Sequence, residues 1–449
     1  MDIAGLIPSF GGFFFTILAF VVALSVIVAI HEYGHYIVGR WCGIHAEVFS
    51  LGFGPVLFRR TDKHGTVWQV AALPLGGYVK FMGDADAASG KDGDGISQMT
   101  DADRARTMHG AALWKRAATV AAGPIFNFIL SIAIFGAIIF AQGTATERPT
   151  VGALLDLPTQ GVQLEVGDVI TAVEGIETPD FTTLNGLRDV IPPAETLTYT
   201  VERDGSLREV TGPYVMPAVA VGIQPRSAAM DIDMQSGDVV TAIDGTTIYS
   251  FEQLRTAVTA SDGQALLLTV WRATAGGGET FELALAPRRM DLPLPEGGFE
   301  TRWLLGVSGG MFFEPATVTP TPWAALTAGI DQTWFIVTSS LSGLYHMITG
   351  AISTCNMSGP IGIAEVSGAA ASQGFESFIW FIAVLSTAVG LLNLFPVPVL
   401  DGGHLVFHAY EAVTGKPPSD RALRVLMTTG LVLILSLMVF ALTNDIFCP

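Results

Sequence analysis

The chain has 449 residues, of which 50% are hydrophobic and only 14% are charged, whereas soluble domains average about 25% charged residues. This composition predicts a membrane protein, and the length predicts more than one domain. The formal net charge of −18 argues against nucleic acid as a partner, and three widely spaced cysteines exclude a disulfide framework.

Four apolar runs are long enough to cross a bilayer as helices, which takes about 20 residues each. A further run, 323–352, contains Asp331, Gln332 and His346, so we predict amphipathic surface helices there instead of a span. The predicted fold class is therefore a polytopic α-helical membrane protein with four transmembrane helices. These helices cover residues 13–38, 117–140, 378–395 and 426–442.

Basic residues predict the orientation of these helices, because short loops rich in Lys and Arg stay in the cytoplasm. Such residues cluster in the connections 40–116 and 396–425, whereas residues 1–39 and the tail after Leu442 contain none. We therefore predict the basic loops inside, and both termini and the large 141–377 insert outside.

The first apolar run ends in the sequence HEYGH, which places His31, Glu32 and His35 at membrane depth. Ionisable residues are costly there and usually mark a functional site. Residues four apart share one face of a helix, so the two histidines can bind one metal ion while Glu32 reaches a water held by that ion. This arrangement is typical of zinc proteases. The alternative is a buried pair of histidines hydrogen-bonded to other helices.

A catalytic zinc usually has three protein ligands, and candidates for the third lie in NLFPVPVLDGGHLVFH, residues 393–408. Its two prolines must break the third helix, which at membrane depth is tolerated only where the chain is buried or lines a cavity. Asp401, beside this break, is the predicted ligand, and His404 and His408 are the alternatives. If 323–352 does not span the membrane, Asp401 arrives at the same depth as the two histidines.

Residues 46–81 contain two strand-like stretches around a turn at DKHG, which predicts a membrane-associated β-hairpin. The sequence LGGYVKF adds a further extended edge. A transmembrane substrate must unwind before cleavage, and such an edge near the metal could bind the unwound backbone by strand addition. We predict Tyr78 and Gly77 as contact residues; a hairpin that only shields the site from lipid is the alternative.

The outer insert contains an internal repeat, because GDVITAVEG (167–175) recurs as GDVVTAIDG (237–245). Each copy alternates apolar and polar residues and then turns, as strands do, and a helical stretch follows. The pattern resembles PDZ domains and predicts two inserted PDZ-like α+β domains. Residues 149–154 and 218–223 lie where such domains place a peptide-binding edge. A spacer or gate that binds no peptide is the alternative.

HEYGH, NLFPVPVLDGG and the paired repeats together resemble the site-2 protease family of intramembrane zinc metalloproteases, in its bacterial sigma-E-regulating type. Shorter matches are GFG (52–54), LPLGGYVKF (73–81), AAGPIFN (121–127) and SGPIGIA (358–364). The resemblance implies one catalytic Zn²⁺ held by His31, His35 and Asp401, with Glu32 as the catalytic base. It also implies that Asn393 holds substrate near the zinc.

The resemblance further implies cleavage of single-span membrane proteins after a first protease has trimmed them, with anti-sigma factors and remnant signal peptides as substrates. It implies the bacterial inner membrane, with termini and PDZ-like domains in the periplasm and the active site near the cytoplasmic side. The domains would exclude untrimmed substrates, and peptide tails as their ligands stay an open alternative.

A non-enzymatic scaffold and a transporter are the alternative functions. A non-enzymatic scaffold with a structural metal site would not need Glu32, and a transporter with an intramembrane ion site would be expected to show an inverted repeat.

The predicted domain boundaries follow from these elements. Residues 1–146 form the first half of a membrane protease core, and residues 378–449 form the second half, including a sharp DGG turn. The PDZ-like domains cover 147–214 and 215–290, and 291–377 is an outer linker with surface helices.

Overall fold

The computed structural model describes residues 6–84, 99–224, 227–293 and 299–447. The chain divides into two compact units. The first, here called the helical unit, contains the chain up to Ile139, Pro322–Ile348 and the chain from Thr354 onward. The second, the strand-rich unit, contains Phe140–Thr321 and Thr349–Ser353.

The α-helices follow one another in chain order. They are α1 (Leu6–Trp41), α2 (Asp101–Arg104), α3 (Leu113–Gln142), α4 (Phe181–Gly186), α5 (Ala228–Asp231), α6 (Phe251–Ala260), α7 (Pro322–Ile348), α8 (Pro360–Ser372), α9 (Phe375–Asn393), α10 (Asp401–Thr414) and α11 (Asp420–Phe447). Short 3₁₀ turns cover Leu187–Asp189 and Thr354–Asn356.

The β-strands are numbered in the same way. They are β1 (Ala46–Thr61), β2 (Val67–Phe81), β3 (Thr144–Ala145), β4 (Val151–Leu154), β5 (Val169–Val173), β6 (Ile176–Glu177), β7 (Thr196–Arg203), β8 (Ser206–Pro213), β9 (Gly222–Ile223), β10 (Val239–Ile243), β11 (Thr246–Thr247), β12 (Leu266–Thr274), β13 (Gly277–Leu285), β14 (Arg288–Pro293), β15 (Phe299–Leu304), β16 (Val307–Ser308), β17 (Phe313–Pro315) and β18 (Thr317–Val318).

Four of the described helices are long and apolar enough to cross a membrane. The four predicted spans are thus confirmed, with ends that differ from the prediction by a few residues. Helix α7 covers most of the run 323–352 and is not among these four candidates. The candidate spans are Gly12–Trp41, Leu113–Gln142, Phe375–Asn393 and Arg421–Phe447.

Small and hydroxyl-bearing residues bring α1, α3 and α9 into close contact. A Cβ at Gly34 of α1 would lie 2.5 Å from the Ala122 carbonyl oxygen of α3, so a side chain at this position would prevent the approach. The buried Ser131 hydroxyl of α3 donates to the Ala383 carbonyl of α9 over 2.8 Å. Helices in lipid associate through such close packing and hydrogen bonds, so these contacts fix the three helices around the site.

The break between α9 and α10 lies at residues 394–400, which contain both prolines of the motif. The DGG sequence was expected to form the turn, but Asp401 begins α10, and Gly402 and Gly403 belong to its first helical turn. A Cβ at either glycine would collide with the backbone of residues 394–398. The glycines therefore permit close packing of the chain on itself and do not form the turn.

Strands β1 and β2 pair antiparallel in one long hairpin. Residues 48–51 of β1 pair both with residues 67–70 and with residues 77–80, so the LGGYVKF end of β2 forms a further extended stretch beside β1, as predicted. Ser50 pairs with Tyr78, and Leu51 pairs with Gly77. The distal half of β1 exposes a row of apolar side chains, as a surface facing lipid would. These side chains are Phe53, Val56, Leu57 and Phe58.

The strand-rich unit contains two four-stranded sheets of the same topology, β6-β5-β7-β8 and β11-β10-β12-β13. Each sheet buries its own apolar cluster. The equivalent turn residues Glu174 and Asp244 both have positive φ angles, 50° and 48°. The sequence repeat is therefore also a structural repeat.

The segment 305–315 completes both repeats, although the sequence analysis placed it in a linker. Leu305 belongs to the apolar cluster of the second repeat, and Phe312 and Phe313 belong to that of the first. Strand β16 pairs with β9, and β17 pairs with β4. The two stretches expected to offer free peptide-binding edges, 149–154 and 218–223, are thus already paired with strands of the same chain.

Candidate metal centre

Two histidines of α1 and one aspartate of α10 converge in the helical unit. His31 and His35 are one helical turn apart, and their Nε2 atoms lie 3.2 Å from each other. The Oδ2 atom of Asp401 lies 3.1 Å from His31 Nε2 and 3.5 Å from His35 Nε2. The three side chains are only 12–18% exposed, so the cluster is sheltered from bulk solvent.

This geometry fits a tetrahedral zinc ion. Two ligand atoms about 2.1 Å from such an ion lie about 3.4 Å apart, which matches the three separations. Asp401 Oδ2 is buried and has no regular hydrogen-bond donor in the described part of the chain, so a cation would satisfy it. Two imidazole nitrogens and a carboxylate oxygen are a usual ligand set for catalytic zinc. Within the described residues, this is the one group of three that could hold a metal.

Asp401 also occupies a favourable electrostatic position. It is the acidic residue of the first turn of α10, where the positive end of the helix dipole stabilises a negative charge. The close packing of Gly402 and Gly403 against the preceding connection fixes this end of the helix beside α1.

Helix α3 supports the two histidines from behind, a role that the sequence analysis did not predict. The Nδ1 atom of His35 donates to the Thr119 carbonyl oxygen over 2.9 Å. A Cβ at Gly123 would collide with the His35 ring and lie 2.8 Å from His31 Cε1, so this glycine makes room for both imidazoles. The buried amide of Asn127 lies 3.2 Å from His31 Nδ1. The only sequence signal was the motif AAGPIFN, which carries no role by itself.

Glu32 lies between the histidines in sequence and faces strand β2. Its carboxylate accepts a hydrogen bond from the backbone N–H of Val79 and interacts electrostatically with all three members of the cluster. A Cβ at Gly77 would lie 3.1 Å from Glu32 Cγ and 2.8 Å from the Ser50 carbonyl oxygen. The hairpin therefore passes directly beside the predicted base, and a glycine is required at the contact.

The other predicted substrate contacts lie on flanking elements. The Tyr78 hydroxyl accepts a hydrogen bond from Gln69, and its ring stacks on that of Phe53 with 5.9 Å between ring centroids. Asn393 is the last residue of α9, and its amide nitrogen donates to the Val389 carbonyl oxygen in the same helix.

The alternative ligands His404 and His408 follow Asp401 on α10 and are not part of the converging group. Burial lowers the pKa of His404. Burial, together with the nearby Arg116 guanidinium, lowers the pKa of His408 to about 4. Both imidazoles are therefore expected to be neutral near pH 7.

The chain is similar to known proteins over most of its length. The family model described as Peptidase family M50 matches residues 19–437. The chain is 37% identical over 434 residues to a protein of Agrobacterium fabrum named as an inferred zinc metalloprotease, covering 96% of this chain and 95% of that protein. It is 33% identical over 465 residues to the regulator of sigma-E protease RseP of Escherichia coli, covering 96% of this chain and 98% of RseP.

Proposed function

The chain belongs to peptidase family M50 and is a protease, and from this premise we propose that it is an intramembrane zinc metalloendopeptidase. It hydrolyses peptide bonds in or near the transmembrane segment of single-span membrane proteins. The observation that carries the proposal is the convergence of His31, His35 and Asp401, with the carboxylate of Glu32 alongside.

Each residue of the cluster has a distinct task in this proposal. His31, His35 and Asp401 hold one zinc ion, which when bound polarises the scissile carbonyl and lowers the pKa of a water to about 7. Glu32 accepts the proton of the attacking water and passes it to the leaving amine. The Val79 N–H that donates to Glu32 orients the carboxylate for both transfers.

The hairpin supplies a place for the substrate backbone. A transmembrane helix hydrogen-bonds its own backbone, so it must unwind before hydrolysis. Strand β2 passes beside Glu32, and strand addition at this hairpin would hold the unwound segment next to the base, with Gly77 and Tyr78 as contacts. Asn393 would reach the substrate after its amide turns away from Val389, and its N–H would then stabilise negative charge on the scissile oxygen.

The substrates, compartment and outer domains form the finer part of the proposal. We assign anti-sigma factors and remnant signal peptides as substrates after a first cleavage; the name of the Escherichia coli relative supports the first of these. The repeats of the strand-rich unit act as PDZ-like domains that exclude untrimmed substrates. We assign the protein to the inner membrane, with its cluster near the cytoplasmic side; the Escherichia coli relative supports the membrane, and the basic loops support the side.

One substitution tests the central step. Glu32→Gln removes the base and keeps all three ligands, so we expect the zinc content of the parent and at least a 100-fold loss of cleavage of a model transmembrane peptide. Glu47→Gln is the control, because Glu47 forms a partly exposed ion pair with Lys80 on the hairpin. Cleavage by Glu32→Gln at the rate of the parent would refute the proposal, and a parent that binds zinc without cleaving would favour the scaffold.

A further inference from the structure

Asn127 of α3 is fully buried and lies against the ring nitrogen of His31 that faces away from the cluster. Its side-chain amide is 3.2 Å from His31 Nδ1, whereas His31 Nε2 faces His35 and Asp401. Any metal ion in the cluster therefore takes the lone pair of Nε2. The proton of a neutral imidazole must then be on Nδ1, and this N–H needs an acceptor.

The orientation of the Asn127 amide decides whether that acceptor exists. With Nδ2 toward His31, the amide can only donate, and the imidazole proton would be forced onto Nε2, where the lone pair is needed. The amide oxygen and nitrogen occupy nearly equivalent positions, so their assignment follows from the hydrogen-bond network. The Oδ1 atom, which faces away from His31 in this assignment, is buried and has no hydrogen-bond partner in the described chain. Exchanging Oδ1 and Nδ2, so that Oδ1 faces His31, therefore breaks no existing hydrogen bond of Oδ1.

The second histidine provides an independent precedent for this arrangement. His35 Nδ1 donates to the Thr119 carbonyl oxygen of the same helix. Thr119, Gly123 and Asn127 are spaced by four residues and share one face of α3. This face therefore presents an acceptor beside His35, a gap for the two rings, and a second polar group beside His31.

We propose that Asn127 is a positioning residue that accepts the Nδ1 proton of His31 through Oδ1 and thereby directs the Nε2 lone pair toward zinc. The inference rests on the metal site of the proposed function and deepens it. Groups that bond the outer nitrogen of a metal-binding histidine fix its tautomer and ring orientation. Asn127 does this for His31, and the Thr119 carbonyl does it for His35.

The test compares zinc binding by purified full-length variants. Asn127→Leu removes the acceptor and should weaken zinc binding about 10-fold to 100-fold in competition with a chelator. Asn127→Asp restores an acceptor oxygen and should recover most of the affinity. Ser131→Ala is the matched control for the loss of one buried helix-packing hydrogen bond, because in the described chain this hydroxyl one turn further along α3 bonds only to backbone carbonyls; it should bind zinc nearly as tightly as the parent. Asn127→Ala replaces the leucine variant if that variant does not fold.

A spectroscopic readout separates positioning from a purely structural role. In zinc-loaded parent protein labelled with ¹⁵N-histidine, His31 should show the tautomer protonated at Nδ1. In Asn127→Leu, resonances of the other tautomer should appear for the zinc-free fraction. Parent-like zinc affinity in Asn127→Leu, or equal losses in Asn127→Leu, Asn127→Asp and Ser131→Ala, would overturn the inference and leave the proposed function intact. A parent that binds no zinc would overturn both.

Discussion

The metal cluster depends as much on a missing side chain as on the side chains present. Gly123 faces α1 at the level where His31 and His35 project, and any Cβ there would occupy the space of both rings. Protein interiors do not yield such space without moving their neighbours. Since α1 and α3 are also held together by the contact of Gly34 with Ala122, the helices cannot simply separate to make room.

We therefore expect Gly123→Ala to lower zinc affinity at least 10-fold, with a comparable loss of cleavage, because displaced imidazoles no longer converge with Asp401. Zinc competition with a chelator measures the effect. Gly343→Ala is the control: a Cβ at this glycine of α7 meets no atom within 4 Å, and alanine stabilises a helix by about 1 kcal/mol relative to glycine. Unchanged zinc affinity in Gly123→Ala would mean that α3 does not constrain the histidines.

At this scale, the sequence predicts what is local and misses what depends on contacts between helices. The alignment of His31 with His35 follows from four-residue spacing on a helix, and Asp401 was identified from the helix break beside it. Thr119, Gly123 and Asn127 have no such signature, because their roles arise only from the face of α3 that meets α1. A glycine in an apolar helix can have several structural roles, and the sequence alone does not distinguish between them.

At the level of the elements, each of the two repeats contains an equivalent ion pair with a buried aspartate. Arg203 of β7 contacts Asp168 over 2.6 Å, and Arg272 of β12 contacts Asp238 over the same distance. Both aspartates lie just before the first strand of their sheet and are at most 1% exposed. In each sheet the pair therefore connects the start of one inner strand, β5 or β10, to the neighbouring inner strand, β7 or β12. The aspartate is the middle residue of the GDV sequence in both copies of the repeat.

Loss of one partner of this pair should destabilise the first repeat. Asp168→Asn removes the charge that accepts two hydrogen bonds from Arg203 and leaves that guanidinium with Glu165 and the Gln163 carbonyl as partners, which should lower the free energy of unfolding. The control is Glu202→Gln, because its pair with Arg148 is 39–54% exposed and contributes below about 1 kcal/mol. Calorimetry of full-length variants should show a lower unfolding temperature for Asp168→Asn than for Glu202→Gln, and equal temperatures would contradict the assignment.

The same pair predicts a pH dependence. Burial alone would raise the pKa of Asp168, but hydrogen bonds from Arg203 and from the Glu165 N–H outweigh it and hold that pKa below its usual value. Stabilisation from such a depressed pKa is complete above the unfolded value of about 3.9 and is lost as the pH falls through the folded value. The stability difference between parent and Asp168→Asn should therefore be constant near neutral pH and shrink below about pH 4; a constant difference at pH 3 would argue against the pair.

The sequence predicts the boundaries of an element when they follow from the length of an apolar run. It does not predict them when they depend on packing against distant parts of the chain. The four spans follow from apolar runs of bilayer length, and the two repeats follow from alternation and turn residues. Segment 305–315 was assigned to a linker, and its strands β16 and β17 have only two and three residues, too few for alternation to reveal them. Its apolar residues belong to cores formed by distant strands, so only the tertiary structure reveals its place.

For the whole molecule, the meeting of α1 with α10 requires a definite path of the chain through the membrane. His31 and His35 lie near the C-terminal end of the first span, just before a basic connection, and Asp401 follows the third span. The cluster forms only if both spans run in the same direction, which agrees with α7 lying outside the set of candidate spans. In the proposed topology, the distribution of Lys and Arg orients this set with the basic connections in the cytoplasm.

This orientation predicts which surfaces a membrane-impermeant thiol reagent can reach in intact cells. Ser206→Cys places a thiol at the exposed start of β8 in the strand-rich unit, and Lys416→Cys places one at the exposed connection between α10 and α11. We expect the reagent to label Ser206→Cys in intact cells and Lys416→Cys only after the membrane is permeabilised, with the parent chain giving the background from native cysteines. The reverse pattern would invert the topology, whereas labelling of both sites in intact cells would require an additional crossing, for which α7 is the candidate because it connects the strand-rich unit to the later spans.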